Sequence, residues 1–266
     1  MLDVFGDHFM RMALAAGVVV AVVCAYLGVQ VVLRRVVFVG AALAQISSAG
    51  IGFAVLTGLN PWITSLAFTL GGVAAFSARS GRKSLTQESL IGVGYAVASA
   101  LAVLFVAKSA QGEAHLLDVL SGNILTVTVG GIWWMAAVAA AALIAMALFQ
   151  KQLLFSTFDP ETARASGFRA ERWDLFFFLI LGVVISSAIR LVGTLLVFSM
   201  LVVPPVTGIL LGKRLSGICA VSLGAAVLST IMGLYASLGL DLPSGPAIVA
   251  VSFVLLLAAW VIAKIR

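Results

Sequence analysis

Residues 158–174 read FDPETARASGFRAERWD and put seven charged side chains into 17 positions. On both sides the chain turns to Leu, Val, Ala, Phe and Gly in runs of spanning length. The insert therefore divides two blocks of a different physical character, and the contrast decides what solvent the fold requires.

Across all 266 residues 62% are hydrophobic and only 10% charged, with a mean hydropathy of +1.20. A soluble domain carries about 25% charged residues. No water-soluble fold of this length hides so much apolar surface, so the sequence predicts an all-α integral membrane protein. Cys24 and Cys219 both sit in apolar runs, without a second Cys or a His at ligand spacing. They read as small hydrophobes rather than as a disulfide or a metal knuckle. The N-terminus has acids ahead of its apolar run, and is expected to be a first transmembrane helix rather than a removable signal.

A spanning helix needs about 20 largely apolar residues. Working outward from the insert, nine segments come within a few residues of that: 12–33, 36–58, 62–78, 89–107, 131–149, 173–192, 194–212, 215–238 and 245–263. The segment 116–128 is short and interrupted by Asp118, Ser121, Gly122 and Asn123, and is expected to be an external interfacial or re-entrant helix. With the N-terminus outside, thirteen of the 16 Lys and Arg fall on the cytoplasmic side, and only Arg11, Lys108 and Arg190 outside. This is the asymmetry of the positive-inside rule. The net charge of +6 is thus a topology signal, and nucleic acid drops out as a partner. No internal repeat or second domain is visible, so residues 1–266 read as a single transmembrane domain with a cytoplasmic loop at about 156–172.

Every acid falls in a loop or near a helix end. Proton- and ion-driven transporters keep ionisable groups at depth, so energy is expected to enter from outside the spans. In the insert, Asp159 suits an N-cap, Pro160 the first helical position and Glu161 the positive end of the dipole. Gly167 is a fitting stop. The pattern predicts a helix of about two turns over 160–166, with Ala163 and Arg164 on its surface. Docking to a cytoplasmic partner and a plain solvated connector are both compatible with it. In the seventh span Pro204-Pro205 predicts a kink, shaping either a pathway or packing. In the second, Gln45 is the most polar side chain at mid-depth, accompanied by Ser47, Ser48, Gly50 and Gly52; it needs an interhelical hydrogen bond or a wet cavity. His8 and His115 fall on the external side with no ligand spacing.

Taken in order, RVVFVGAALAQ (35–45), ESLIGV (88–93), LSGNILTV (120–127), FDPETARASG (158–167), VGTLLV (192–197), VPPVT (203–207) and DLPSGP (241–246) resemble the zinc/manganese class of ABC-importer permeases over nearly the whole chain. The resemblance implies a type II importer-like permease of about nine spans. It implies a homodimer in the bacterial inner membrane, bound to two cytoplasmic ATPase subunits and fed by an external solute-binding protein. Asp159, Pro160, Glu161, Ala163, Arg164 and Gly167 would form the coupling helix that docks the ATPase. ATP and magnesium would belong to that partner, with no cofactor and no catalytic residue on this chain. Family members carry an Asp and a His in the second span where this chain has Ala41 and Gln45, and commonly a Pro at the position of Ala49. No metal ligand is therefore assigned. Gln45, Ser47 and Ser48 are expected to line the path, with Pro204 and Pro205 shaping another helix. The cargo implied is a divalent transition metal such as zinc, manganese or iron. The alternatives are an ABC permease for a chelate or small organic nutrient, or a secondary transporter.

Overall fold

The computed structural model describes residues 8–77, 87–109, 128–158 and 168–265. Among the described residues there are ten helices and no strand: α1 His8–Leu33, α2 Val37–Thr57, α3 Pro61–Ser77, α4 Gln87–Ala107 and α5 Val129–Leu148. They continue with α6 Gln150–Phe158, α7 Ala170–Val192, α8 Thr194–Leu211, α9 Leu215–Gly239 and α10 Ser244–Ile265. Eight are long and apolar enough to cross a membrane, and α3, at 17 residues, is shorter. At 1.5 Å per residue α3 reaches about 25 Å, against a hydrocarbon core of about 30 Å. All nine expected spans coincide with helices; α6 is an additional nine-residue helix that hydropathy did not single out. The expected helix over 160–166 and most of 116–128 lie outside the described residues.

Breaks between helices follow local chemistry. Gly58 adopts φ 72° and donates its N–H to Ala54 O at 2.8 Å, closing α2 with a left-handed cap. Asn60 Oδ1 then accepts the Trp62 N–H at 2.9 Å, and Pro61 opens α3, where its missing donor does no harm. Gly193, at φ 79°, separates α7 from α8 without an intervening loop.

The chain forms two compact units. One comprises Met1–Val32, Leu117–Ala139 and Ala188–Arg266. Its helices meet at glycines: a Cβ on Gly208 would stand 2.5 Å from Ile218 O, and one on Gly233 2.4 Å from the Ile248 Cα. Gly208 and Gly212 thus pack α8 onto α9 as a small-xxx-small pair does. Helix α8 runs through Pro204 and Pro205 without interruption. Neither proline can donate to the carbonyls of Met200 and Leu201 four residues back. The freed Leu201 O faces Gly28 of α1, where a Cβ would come within 2.2 Å.

The other unit comprises Leu33–Leu116 and Ala140–Ser187. Here α2 packs on α3 at Gly50, where a Cβ would meet the Ser65 Cα at 2.7 Å, and approaches α4 at Gly52. Phe53, Phe68 and Phe105 join the three helices, with ring centroids 5.4–6.5 Å apart.

Candidate functional site

The polar stretch of α2 lies in the second unit. Ala41 is buried and Gln45 half-buried. One and two turns of a 3.6-residue helix separate Ala41 from Gln45 and Ser48, so the three share a face. Among the described residues Gln45 makes no hydrogen bond, whereas its two serine companions are both engaged. Ser47 Oγ lies 2.8 Å from Ser65 Oγ, which lies 2.9 Å from Ser186 Oγ. This hydroxyl chain, fully inside the unit, ties α2 to α3 and α7. Ser48 Oγ donates back to Ala44 O at 3.1 Å, which satisfies it within its own helix. Pro204 and Pro205 are buried in α8 and belong to the first unit.

The residues flanking the insert are held by a denser set of contacts in the same unit as α2. Arg34, in the α1–α2 connector, donates through Nη1 to Asp174 Oδ1 on α7 and through Nη2 to Leu153 O on α6 at 3.1 Å. Its guanidinium also stands 4.6 Å above the Phe177 ring. Ser156 Oγ donates to Asp174 Oδ1 at 2.8 Å. The Arg34 side chain is only 7% exposed, against 36% for Asp174. Burial pulls the guanidinium below its usual range, and the neighbouring Asp174 offsets only part of that shift. Around it, Phe155 meets Phe168 at 5.5 Å, Phe168 stacks on Trp173 at 6.0 Å, and Trp173 meets Phe149 and Phe176. The six expected coupling residues, Asp159, Pro160, Glu161, Ala163, Arg164 and Gly167, lie outside the described residues.

Two features had no distinct signal in the sequence. Arg34 counted only as a loop cation, because its partner is 140 residues away. Gln30, a single amide in the apolar run of α1, is 5% exposed with its Oε1 buried and unpartnered among the described residues. Among those residues no three His, Cys, Asp or Glu gather as a cage for a metal ion.

Long apolar helices, packed within each unit through glycines and hydroxyls, define a multi-pass membrane protein. The chain belongs to the ABC 3 transport family, whose model matches residues 6–263. It is similar to the manganese transport system membrane protein MntC of Listeria monocytogenes, at 29% identity over 255 residues, covering 96% of this chain and 91% of that protein. It also resembles the manganese import system permease protein ScaB of Streptococcus gordonii, at 27% identity over 256 residues, covering 96% and 92%. Among solved structures, PsaBC from Streptococcus pneumoniae in complex with Fab has a chain superposing with a TM-score of 0.86. That match is at 25% identity and covers 97% of this chain and 93% of the other.

Proposed function

We propose that this chain is the membrane-spanning permease subunit of a bacterial ATP-driven importer for a divalent first-row transition metal, with manganese the foremost candidate. One observation carries the proposal: the family match extends over residues 6–263, and relatives named as manganese permeases align over 96% of the chain. ATP and magnesium bind a separate cytoplasmic ATPase, two copies of the permease pair in the inner membrane, and an external solute-binding protein delivers the cargo. The N-terminus lies outside and the C-terminus in the cytoplasm, on the strength of the loop charges. The Arg34 contacts join the α1–α2 connector to the base of the insert at one end of the unit, so both lie on one side of the membrane, as that topology requires.

Residues 159–167 receive the ATPase, and the work they transmit switches the permease between outward and inward openings. Gln45 and Ser48 share the face toward the path, Ser47 ties α2 to α3 beside them, and Pro204 and Pro205 shape α8. A neutral amide oxygen suits a hard cation such as manganese, though it holds the ion less firmly than a carboxylate. Weak binding is what a conducting site needs, because the ion must leave as readily as it enters.

The test is reconstitution of the permease with its ATPase in proteoliposomes, with the binding protein supplied outside. Manganese-loaded binding protein is expected to stimulate ATP hydrolysis and ion uptake; failure of manganese, zinc and iron alike rejects the metal reading.

A second expectation concerns the ligands. Ala41→Asp together with Gln45→His places a carboxylate and an imidazole four residues apart on one helix face. The manganese concentration for half-maximal uptake should then fall by about tenfold, the lower end of what ligand-shell changes produce. Gln45→His alone, at the half-buried position, gives the same direction of change without placing a charge at the buried position 41. Metal dependence unmoved by both variants argues for a chelate or organic cargo.

A further inference from the structure

The contacts that Arg34 makes link three segments: the α1–α2 connector that carries it, α6 and the start of α7. Its Nη2 holds Leu153 O in the middle of α6, and its Nη1 holds Asp174 in the first turns of α7. Those two helices deliver the chain into residues 159–167 and take it out again. Their ends are also fastened to each other, by Ser156 to Asp174 at 2.8 Å and by Phe155 to Phe168 at 5.5 Å. Arg34 itself is followed, three residues on, by the first residue of α2.

A second tie joins the same helices farther along. Ser186 of α7 reaches Ser47 of α2 through Ser65. Twelve residues of α7 separate Asp174 from Ser186, about 18 Å at 1.5 Å per residue. Thirteen residues separate Arg34 from Ser47, so the two ties stand at matching levels. Gly182 lies between them, where a Cβ would come within 3.2 Å of Thr69 on α3. Two ties at two heights prevent α7 from sliding or tilting against α2. Of the two, the Arg34 tie stands at the end where the insert is attached, with its side chain 7% exposed.

We propose that Arg34 is the positioning residue of the drive: through Asp174 and Leu153 O it makes α6, the start of α7 and α2 move as one body, so that a displacement entering at the insert reaches Gln45. The proposal rests on residues 159–167 being the ATPase contact. Without the Arg34 tie, a push on the insert bends the α6–α7 junction and is dissipated there. The ATPase still closes and hydrolyses ATP, but α2 does not follow.

The experiment uses the full permease–ATPase complex in proteoliposomes, measuring manganese uptake and ATP hydrolysis on the same samples. Arg34→Met keeps an apolar stem over Phe177 and removes the fork. Uptake per ATP hydrolysed is expected to fall by about tenfold, within the range of coupling between linked sites, while ATP hydrolysis and the yield of complex are retained. Arg34→Lys, which keeps the charge but cannot serve Asp174 and Leu153 O together, should give an intermediate ratio. So should Asp174→Asn, and these two milder variants provide the readout if Arg34→Met fails to fold. Adding Asp174→Asn to Arg34→Met should produce little further loss, since both act on one tie.

A purely structural ion pair would lower thermal stability and depress uptake and hydrolysis together, leaving their ratio unchanged, and that result overturns the proposal. A photo-crosslinker at Ala163→Cys keeps the two readings apart. Crosslinking to the ATPase with an unchanged ratio overturns the role of Arg34 alone, whereas no crosslink overturns the docking reading and this proposal together.

Discussion

Gly50→Leu should leave little folded permease, whereas Gly71→Leu, on the adjacent helix, should be tolerated. The difference lies in what each new side chain meets. A Cβ at position 50 stands 2.7 Å from the Ser65 Cα and 2.8 Å from Thr64 O, both backbone atoms, and 3.1 Å from the Phe68 Cβ. No rotamer change relieves a clash with backbone, so α3 must move away from α2. Ser65 is at the same time the middle member of the Ser47–Ser65–Ser186 chain, so moving α3 also breaks two buried hydrogen bonds. Overpacking a close-packed core costs about 1–3 kcal/mol, and each broken hydrogen bond adds about 1 kcal/mol. The sum is a large part of the roughly 5–15 kcal/mol that holds a typical domain together. At position 71 a Cβ would have nothing within 4 Å, and there leucine's better helix propensity is a gain of up to about 1 kcal/mol. Thermal unfolding of the two purified variants in detergent, followed by size-exclusion fluorescence, separates them. Equal melting temperatures would show that the α2–α3 contact does not carry the unit.

The spans were legible because membrane solvation leaves a signal in every residue: each of the nine apolar runs became a helix. Positions where helices touch were less so. Gly208 and Gly212 stand at the four-residue spacing of a small-residue contact, but Gly28 carries no such mark, since its reason for being glycine is the Leu201 carbonyl freed by Pro205. Pro205 was visible in the sequence; the helix it would face was not. The same holds for the polar positions of α2. Composition marks Ser47 and Gln45 alike as polar groups in an apolar run, yet Ser47 is committed to Ser65 while Gln45 remains half-exposed. Arg34 is the sharpest case. A basic residue beside a span reads as a topology signal, and the burial that turns it into a tie comes from Asp174, Leu153 and Phe177, far away in the chain. Helix α6 lacked a signal for a simpler reason. Its QKQLLFSTF sequence is too short and too polar to register as a span, and it has no acid or basic cap to mark its ends.

Asp159→Lys combined with Gly167→Pro is expected to reduce ion uptake to near background while the permease itself still folds. Both positions act on the ends of the short helix expected over 160–166, where stability is local. A two-turn helix is marginal in water, since nucleation is costly and few hydrogen bonds follow. Losing the Asp159 cap removes about 1 kcal/mol, and a lysine set against the positive end of the dipole removes up to about 1 kcal/mol more. Proline at 167 fixes φ near −65° where a left-handed stop is expected, and it withdraws a donor that the last turn uses. Together these amount to about 3 kcal/mol, or roughly a hundredfold fall in the ordered form. The ATPase would then meet an unstructured loop bearing the wrong charge. The described fold gives no reason for the spans to fail with it, because Phe155–Phe168 and Ser156–Asp174 close the base of the insert independently of what lies between. Three measurements follow on one preparation: helix content and melting of the permease, pull-down of the ATPase, and uptake. A folded variant that no longer retains the ATPase and no longer transports is the expected result. If the variant retains the ATPase and transports normally, the drive enters elsewhere, and the clamp around Arg34 is then only architecture.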